Sequence, residues 1–443
     1  MKTILVLGAG RSSSALIAYL FAEARENNWK IIVADFSEMA AAKGIEGLDG
    51  GLALAFDIYD EQQARTTILM ADVVISLLPA HLHSKVASHC LALNKHLLTA
   101  SYVSAEMEAF HEESKTKGLL FLNECGLDPG IDHMSAMQVL DKIKANGGKI
   151  ISFESFTGGL IAPESDPGNP WRYKFTWNPR NVVMAGQATA KFLQDGKYKY
   201  IPYQQLFLRT VPVHVSGYGD YDGYANRDSL KYIATYGLQE VKTMLRGTLR
   251  NKGFCKAWNI FVQLGCCDDT YQMDNISQLT HREFIDAFLE YDPSRSIEKK
   301  VMDRFGLNPQ SPELEKLKWS GFFDDMKIGM ETGTPAQILE HILTKKWKLQ
   351  KSDHDLIVMW HRFIYEVNGK EYEIQASLIA KGDGATTAMA KTVGLPLAIA
   401  TKLLLQGKIR ERGVCIPIKK EFYDPILNEL KLAGIELIET EIP

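Results

Sequence analysis

Residues 3–20 read TILVLGAGRSSSALIAYL: an apolar, strand-like run, a glycine-rich turn and the start of a helical pattern. Dinucleotide-binding units need this order, because the first glycine allows a tight turn and the second lets a pyrophosphate approach the helix N-terminus. Free N–H groups and the helix dipole favour an anion at that end. Ser13 stands where a third glycine is expected, and a small residue can still fit between helix and strand. The stretch therefore predicts a phosphate-binding strand, turn and helix.

The alternation of strand and helix continues to about residue 145. The apolar runs are nearly continuous rather than alternating, as expected for parallel strands covered on both faces. They are KIIVADF (30–36), LALAFD (52–57), DVVISLLP (72–79), KHLLTAS (95–101) and LLFLNEC (119–125). We therefore expect an α/β fold that begins with a Rossmann-like, doubly wound parallel sheet.

The composition and the pattern of the sequence change after Gly147-Gly148, where longer strand-like runs, Pro/Gly-rich loops and aromatic residues appear. Asn368-Gly369 separates two strand-like runs and signals a hairpin. The C-terminal stretch returns to α/β character. We predict three parts: a dinucleotide-binding domain (1–127 and 386–443), a second α/β domain (128–271 and 349–385), and a small α-helical insertion (272–348).

The charge of the chain excludes recognition through a broad basic surface. Lys and Arg number 50 against 54 Asp and Glu, so we expect neither nucleic acid nor an anionic membrane as a partner. The first residues run into glycine rather than into a small-residue cleavage site, and we expect a cytoplasmic protein without a membrane span. Six cysteines form no C-x-x-C pair, which favours reduced thiols.

Histidines are the remaining candidates for a metal site. His81, His83 and His89 follow the fourth apolar run, but no cysteine or carboxylate cluster accompanies them at ligand spacing. We expect them at the surface or at the cofactor edge, and we predict no metal.

The second strand ends at Asp35, roughly where dinucleotide-binding folds place the acid that bonds the adenosine ribose. A carboxylate there would repel the 2′-phosphate of NADP, so NAD is the predicted cofactor and NADP the alternative. Asp35 could instead only cap a loop. Because ligands of open parallel sheets bind outside the strand carboxyl ends, Leu78-Pro79, Ala100-Ser101-Tyr102 and Gly126-Leu127-Asp128 should converge on one crevice.

The segment NECGLDPGIDHM (123–134) crowds charged side chains around one turn. Asp128-Pro129-Gly130-Ile131 fits a type II turn, since proline presets the second position and glycine tolerates the positive φ of the third. Asp132 is expected to cap the helix that follows. Asp128 has no such structural role and should project at the strand end, whereas His133 could either contact a ligand or pack.

Several motifs together resemble those of the glutamate-forming saccharopine dehydrogenases, and the resemblance extends over essentially the whole chain. They are TASYVS (99–104), GLDPGIDHM (126–134), NPWRYKFTWNP (169–179), NRDS (226–229), LRGTLR (245–250) and AKTVGLPLAIATKLLL (390–405). The resemblance implies that saccharopine, NAD(P)⁺ and water give glutamate and 2-aminoadipate 6-semialdehyde, or the reverse. Fungal biosynthetic members use NADPH and place an arginine near Asp35. Animal members of lysine degradation carry an acid there and use NAD, which favours the oxidative, degradative direction.

The resemblance also implies that the second α/β domain serves substrate binding and dimerisation, so that the protein is a homodimer, and it implies particular site residues. The substrate contacts are Ser101, Tyr102, Asp128, Arg227, Thr248, Leu249 and Arg250. The cofactor contacts are Gly8, Gly10, Arg11, Ser12, Asp35, Leu78, Pro79, Ala100 and Ser101. For catalysis, we expect Asp128 to orient the substrate amine or accept its proton, Tyr102 to bond a carboxylate, and His133 to relay a proton.

Saccharopine carries three carboxylates, which a planar guanidinium can hold through paired N–H···O bonds, so Arg227 and Arg250 are the favoured cations. Arg246, Arg172 and Lys174 are weaker candidates. Two other functions stay open. A carboxynorspermidine-type reductase would need fewer cations, and a non-catalytic NAD-binding module would show no turnover.

Overall fold

The computed structural model describes residues 1–185 and 187–442. It contains two compact units. The first joins Met1–Lys149 to Leu378–Ile438, and the second consists of Ile150–Ser377 with the residues that follow Ile438.

The strands are β1 (Lys2–Leu7), β2 (Trp29–Asp35), β3 (Gly51–Ala55), β4 (Val73–Ser76), β5 (His96–Thr99), β6 (Leu120–Leu122), β7 (Lys149–Ile161), β8 (Ala190–Gln194), β9 (Lys197–Ile201), β10 (Val211–Val215), β11 (Gly219–Ala225), β12 (Thr243–Asn251), β13 (Met273–Asp274), β14 (Thr332–Gly333), β15 (Asp355–Val367), β16 (Lys370–Lys381), β17 (Gly413–Cys415) and β18 (Leu437–Ile442). The α-helices are α1 (Ser14–Asn27), α2 (Glu38–Gly44), α3 (Glu61–Leu69), α4 (His83–Ala92), α5 (Ala105–Glu108), α6 (His111–Thr116), α7 (Ile131–Ala145), α8 (Pro179–Val183), α9 (Tyr203–Leu206), α10 (Lys231–Thr235), α11 (Phe254–Leu264), α12 (His281–Asp286), α13 (Ile297–Phe305), α14 (Pro312–Trp319), α15 (Pro335–Trp347), α16 (Ala388–Leu405) and α17 (Lys420–Leu432).

The first unit is built on a seven-stranded sheet in the order β17-β6-β5-β4-β1-β2-β3, and its strands pair in parallel. Its central strands are almost entirely buried, as the continuous apolar runs predicted. The predicted doubly wound parallel sheet is therefore confirmed. The C-terminal stretch contributes β17 to the edge of this sheet.

The first unit extends further than the sequence suggested. The predicted substrate-binding domain began at residue 128, but α7 belongs to the first compact unit, which runs to Lys149. Part of the reason is a long-range contact, because Tyr423 Oη of α17 donates to Asp141 Oδ2 of α7 at 2.7 Å. Such a pairing leaves no local pattern in either segment.

Helix α16 is a core helix of the first unit. It is long and apolar enough to cross a membrane by length and composition, although we expected no such run, and 72% of it is buried. It packs closely on α1 at Gly394, where an added Cβ would lie 3.0 Å from the Cβ of Leu16.

The second unit is built on a mixed sheet whose main path is β10-β11-β12-β7-β15-β16-β18, with β8 and β9 attached beside β12. Strands β12 and β7 are parallel, whereas β10, β11 and β12 pair antiparallel. Asn368 and Gly369 both have positive φ between β15 and β16, so the predicted hairpin is confirmed.

An aromatic core lies at the centre of the second unit. Trp171 packs edge-on against Trp347 and Phe254, and it stacks on Phe261. Its Nε1 donates to Ser320 Oγ at 2.8 Å, which fixes the end of α14 against this core. The predicted helical stretch 272–348 contains α12 to α15 and belongs to the second unit rather than forming a unit of its own.

Candidate active site

The glycine turn between β1 and α1 has the geometry that a dinucleotide requires. Gly8 has φ +102, its N–H donates to Ala34 O at 2.8 Å, and an added Cβ would lie 3.1 Å from Leu77 O. Only glycine fits this position without strain. At Gly10, by contrast, a Cβ would meet nothing within 4 Å, so the space beside the turn is open.

The residues after Gly10 lead into α1. Arg11 is exposed and Ser12 is half-buried, while Ser13 is 3% exposed and its Oγ donates to Gly10 O at 2.8 Å. Ser13 thus occupies the tight position of the third glycine and ties the turn to the helix start. The free N–H groups at the beginning of α1 fit a pyrophosphate.

Asp35 lies against the glycine turn at the end of β2. Its Oδ2 accepts the Ala9 N–H at 2.8 Å, and its Oδ1 accepts the Ser37 N–H at 3.0 Å. The loop-capping alternative is therefore present in the structure. Because the side chain is only half-buried, the same carboxylate can also meet a ribose. The neighbouring Phe36 and Met39 are 81% and 80% exposed, which leaves apolar surface beside the acid.

The ends of β4 and β5 are joined through His83, the first residue of α4. Its Nδ1 lies 2.9 Å from Ser76 Oγ, and its Nε2 lies 2.8 Å from Ser101 Oγ and 3.2 Å from Thr99 Oγ1. The residue is 4% exposed, so the surface alternative is wrong for His83, whereas a position at the cofactor edge stays a prediction. Burial lowers its pKa to about 4, with a smaller effect from His81, so the imidazole is neutral at physiological pH.

The predicted cofactor contacts beyond these strand ends are accessible. Leu78, Ala100 and Ser101 are half-buried and Pro79 is exposed, although the strands before them are buried. The structure therefore opens the carboxyl edge of the sheet where the strand-end argument places the ligand.

The two predicted catalytic side chains Tyr102 and Asp128 are brought together. Tyr102 Oη donates to Asp128 Oδ1 at 3.3 Å, and both residues are partly exposed. Asp128 stands out in this respect, because its neighbours on either side are buried. We call Ser76, His83, Ser101, Tyr102 and Asp128 the strand-end cluster.

The turn after Asp128 differs from the predicted type II turn. The Asp128–Pro129 peptide is cis, and Gly130 has φ 148 and ψ −86, far from the type II value. Glycine is nevertheless required, because an added Cβ on Gly130 would lie 2.1 Å from Gly126 O. Asp132 is inside the first turn of α7 rather than at its N-cap, and its Oδ1 accepts the Gly130 N–H at 2.6 Å.

Glu124 is a site residue that the sequence did not reveal. It is 2% exposed and has φ 53; its Oε2 lies 2.8 Å from His133 Nε2, while its Oε1 accepts the Val103 N–H at 3.1 Å. Its own N–H donates to Ser101 O at 3.0 Å, so Glu124 holds the segment that carries Tyr102. His133 is fully buried, which favours the packing alternative over ligand contact. A proton relay through it stays a prediction.

In the second unit, Arg250 is 4% exposed on the face of β12 that also bears Thr248. Its guanidinium carbon lies 5.0 Å from the Tyr173 ring centroid, and its Nη1 donates to Leu249 O at 2.9 Å. Within residues 1–185 and 187–442, the buried Nε has no hydrogen-bond partner. The same holds for the Oγ1 of Thr157, which lies opposite Thr248 on β7. We call Arg250, Thr248 and Thr157 the arginine face.

The charge of Arg250 has no anionic counterpart in the described part of the second unit. Burial raises the pKa of the Tyr173 phenol to about 12, and it also raises the pKa of Tyr224 and Cys255 beside the guanidinium, so these groups stay neutral. A buried unpaired charge is costly. The arginine face therefore fits an anionic ligand such as a carboxylate.

The other predicted cations are less suited to this role. Arg227 is exposed, with φ 47, and its carbonyl accepts the Lys191 N–H. Arg246 is 6% exposed and lies 4.2 Å over the Tyr232 ring. Lys174 pairs with Asp353 at 2.9 Å and Asp166 at 3.0 Å, which makes it structural.

Two further predicted site residues lie in the second unit. Arg172 is exposed with φ 48. Leu249, a predicted substrate contact, is fully buried, so that only its backbone could meet a ligand.

Across residues 1–185 and 187–442, no group of three or more His, Cys, Asp or Glu is arranged to hold a metal ion.

Comparisons with known proteins match both units. Residues 4–122 match the family model described as saccharopine dehydrogenase NADP binding domain, and residues 126–435 match the one described as saccharopine dehydrogenase C-terminal domain. The NADP(+), L-glutamate-forming saccharopine dehydrogenase of Pyricularia oryzae is 32% identical over 451 residues, which cover 99% of this chain and 98% of that protein.

A longer relative and a solved structure also match this chain. The mitochondrial alpha-aminoadipic semialdehyde synthase of Rattus norvegicus is 35% identical over 98% of this chain, but the chain spans only 47% of that protein. The solved structure of apo histidine-tagged saccharopine dehydrogenase (L-Glu forming) from Saccharomyces cerevisiae superposes with a TM-score of 0.89 at 30% identity, covering 100% of both chains. The matched names support a pyridine-nucleotide-binding domain. Because the matched domain is described as NADP binding and the Pyricularia relative as an NADP(+) enzyme, these two matches do not support the NAD preference predicted from Asp35.

Proposed function

The chain belongs to the saccharopine dehydrogenase family, and from that premise we propose that it is an L-glutamate-forming saccharopine dehydrogenase of lysine metabolism. It converts saccharopine, NAD(P)⁺ and water into L-glutamate, 2-aminoadipate 6-semialdehyde and NAD(P)H. The observation that carries the proposal is the Tyr102–Asp128 pair at the carboxyl edge of the dinucleotide-binding sheet. Family membership favours this reaction over that of a carboxynorspermidine-type reductase.

The chemistry requires a neutral substrate amine. A dinucleotide held by the glycine turn and Asp35 would supply the acceptor for the hydride that leaves the carbon that becomes the aldehyde. An ammonium group has no lone pair to stabilise the positive charge that develops on that carbon, so its proton must leave first. The partly exposed Asp128 carboxylate accepts this proton, and it can later accept one from the water that adds to the carbon. Tyr102 orients Asp128 through its hydroxyl.

The arginine face supports the substrate class. Saccharopine has three carboxylates, and a buried guanidinium without an anionic partner would be stabilised by one of them through charge-assisted hydrogen bonds. Thr248 and Thr157 add hydroxyls on the same face. A substrate with a single carboxylate and additional amines would use these groups less well.

Between the two dinucleotides NAD and NADP, we propose NAD as the cofactor. The Asp35 carboxylate bonds the Ala9 N–H of the glycine turn, and Glu38 stands in the first turn of α2 just beyond it. Two acids near the ribose position oppose a 2′-phosphate. The fungal relatives are NADP(+) enzymes, so the proposed NAD preference of this chain differs from theirs.

One assay tests the reaction and the cofactor together. Saccharopine-dependent formation of reduced dinucleotide, followed by its absorbance with NAD and with NADP, should give turnover with a higher kcat/KM for NAD. Turnover with a strong NADP preference would overturn the role of Asp35, whereas absence of turnover with either dinucleotide would overturn the reaction. Homodimerisation and a cytoplasmic location are further proposals, which light scattering and cell fractionation would test.

A further inference from the structure

His83 is the one histidine of the AHLHS segment that the structure places inside the strand-end cluster. It starts α4, and its ring connects the carboxyl ends of two neighbouring strands. On one side lies Ser76, the last residue of β4 and fully buried; on the other lies Ser101, two residues beyond β5 and half-buried. The connection runs from the interior of the sheet to its open edge.

Among the residues that the structure describes, no carboxylate bonds the ring. Its contacts are hydroxyls: Ser76 at 2.9 Å from Nδ1, and Ser101 at 2.8 Å and Thr99 at 3.2 Å from Nε2, so that Ser101 is the nearer partner of Nε2. A neutral imidazole has one donor and one acceptor nitrogen, so one of these serines donates to the ring and the other accepts from it. In either tautomer the Ser101 hydroxyl is tied to a ring that packing and Ser76 hold in place.

A serine hydroxyl without such a tie rotates among staggered positions. Ser101 is in an irregular segment, since β5 ends at Thr99, and its backbone carbonyl is held by the Glu124 N–H while its side chain is held by His83. The segment that carries Tyr102 is therefore fixed from two sides. Pre-organised groups of this kind improve binding and turnover because the ligand need not order them.

We propose that His83 is a positioning residue that fixes the Ser101 hydroxyl for its contact with the ligand at the open edge of the sheet. This inference rests on the proposed function, because it takes Ser101 to touch saccharopine or the dinucleotide during turnover. It assigns His83 no proton transfer and no direct contact with the substrate.

A double-mutant cycle between His83 and Ser101 tests the inference. His83→Phe keeps a planar ring but removes both hydrogen bonds, and we expect kcat/KM for saccharopine to fall about 10-fold. In a Ser101→Ala background the same change should cost less than about 2-fold, because the group that His83 positions is already absent. His83→Gln can place an amide near the former Nε2 and should recover most of the loss.

Controls separate positioning from a general effect on folding. His89→Gln alters a histidine on the same helix that pairs with Glu61 at 3.4 Å, and it should leave kcat/KM unchanged. Should His83→Phe fail to fold, His83→Gln and His83→Asn replace it, since asparagine reaches only the Ser76 side and should show the loss that glutamine repairs.

The outcomes of the double-mutant cycle distinguish positioning of Ser101 by His83 from a purely structural role. An equal loss from His83→Phe with and without Ser101 would mean a structural role and would overturn the inference, as would an unchanged kcat/KM in the single variant. In both cases the wild-type chain would still turn over saccharopine. Failure of the wild-type chain to do so would instead refute the proposed function.

Discussion

The strand-end cluster of the first unit and the arginine face of the second differ in how their polar groups are satisfied. In the strand-end cluster Ser76, His83 and Ser101 bond one another, and Tyr102 bonds Asp128. On the arginine face, the Arg250 Nε is buried without a hydrogen-bond partner. The first region is organised before any ligand binds, whereas the second carries a buried guanidinium that pairs with no carboxylate among the described residues of its unit.

This difference predicts different roles for the two regions. A network whose members are already bonded can hold reacting groups in place at little cost during turnover. A buried cation without an anion instead gains from binding, because the ligand removes a desolvation penalty that the folded protein already bears. Substitutions in the strand-end cluster should therefore act mainly on turnover, and substitutions on the arginine face mainly on substrate affinity.

The largest effect is expected at Asp128. Asp128→Asn keeps the size of the side chain and can still accept from Tyr102, but it cannot take up a proton from the amine. Turnover should fall about 100-fold or more, the usual range for a lost general base, while dinucleotide affinity measured by fluorescence stays unchanged.

Asp141→Asn is the matched control for Asp128. This carboxylate, also in the first unit, bonds Tyr423 and is away from the strand ends. It should retain near-normal turnover. Normal turnover in Asp128→Asn would remove Asp128 from the mechanism and break the assignment of catalysis to the strand-end cluster.

Arg250→Met should separate affinity from stability. The methionine keeps apolar contact with Tyr173 but removes the charge, so we expect KM for saccharopine to rise about 10- to 100-fold, as for the loss of charge-assisted bonds. The free energy of unfolding should stay the same or rise, because no ion pair is broken. Steady-state kinetics and urea unfolding measure the two quantities.

Lys174→Met provides the opposite pattern. It removes a buried cation that does have partners, Asp353 and Asp166, and leaves their carboxylates uncompensated. Stability should fall by about 3 kcal/mol, with KM unchanged. If Arg250→Met behaved in the same way, Arg250 would be structural and the comparison between the two regions would fail.

The sequence predicted the parts of both regions that depend on local pattern. Apolar runs and the glycine turn predict the parallel sheet, and the strand-end rule predicts that Tyr102 and Asp128 lie together, as the structure places them. Their contact follows from adjacent strands ending at one edge. The predicted type II turn was wrong, since Gly130 packs on the backbone of Gly126 rather than closing a simple reversal.

What the sequence could not reveal depends on long-range pairing. His83 reaches Ser101, 18 positions away, and no pattern in AHLHS distinguishes this buried ring from its exposed neighbour His81. Arg250 and Lys174 are both buried cations, yet only the folded chain tells which of them has carboxylate partners. Spacing predicts where a side chain emerges, not which groups from other elements meet it.

A smaller effect is expected at Asp35, at the nucleotide end of the first unit. Asp35→Asn keeps one acceptor for the Ala9 or Ser37 N–H but removes the negative charge. The ratio of kcat/KM for NADP to that for NAD should rise about 10-fold, equivalent to roughly 1.4 kcal/mol. Asp60→Asn, which alters the cap of α3, should leave the ratio unchanged. An unaltered ratio in Asp35→Asn would show that cofactor choice lies elsewhere.

The smallest effect is expected from Tyr102→Phe, which tests whether Asp128 or Tyr102 handles the proton. The Tyr102–Asp128 bond is 3.3 Å long, beyond the usual range for a hydroxyl donor, so its loss should cost little in the free chain. We expect kcat/KM to fall only about 3- to 10-fold, the value of one modest hydrogen bond. A loss as large as that of Asp128→Asn would contradict this ranking. Tyr102 would then be the group that handles the proton, and Asp128 would act by orienting it.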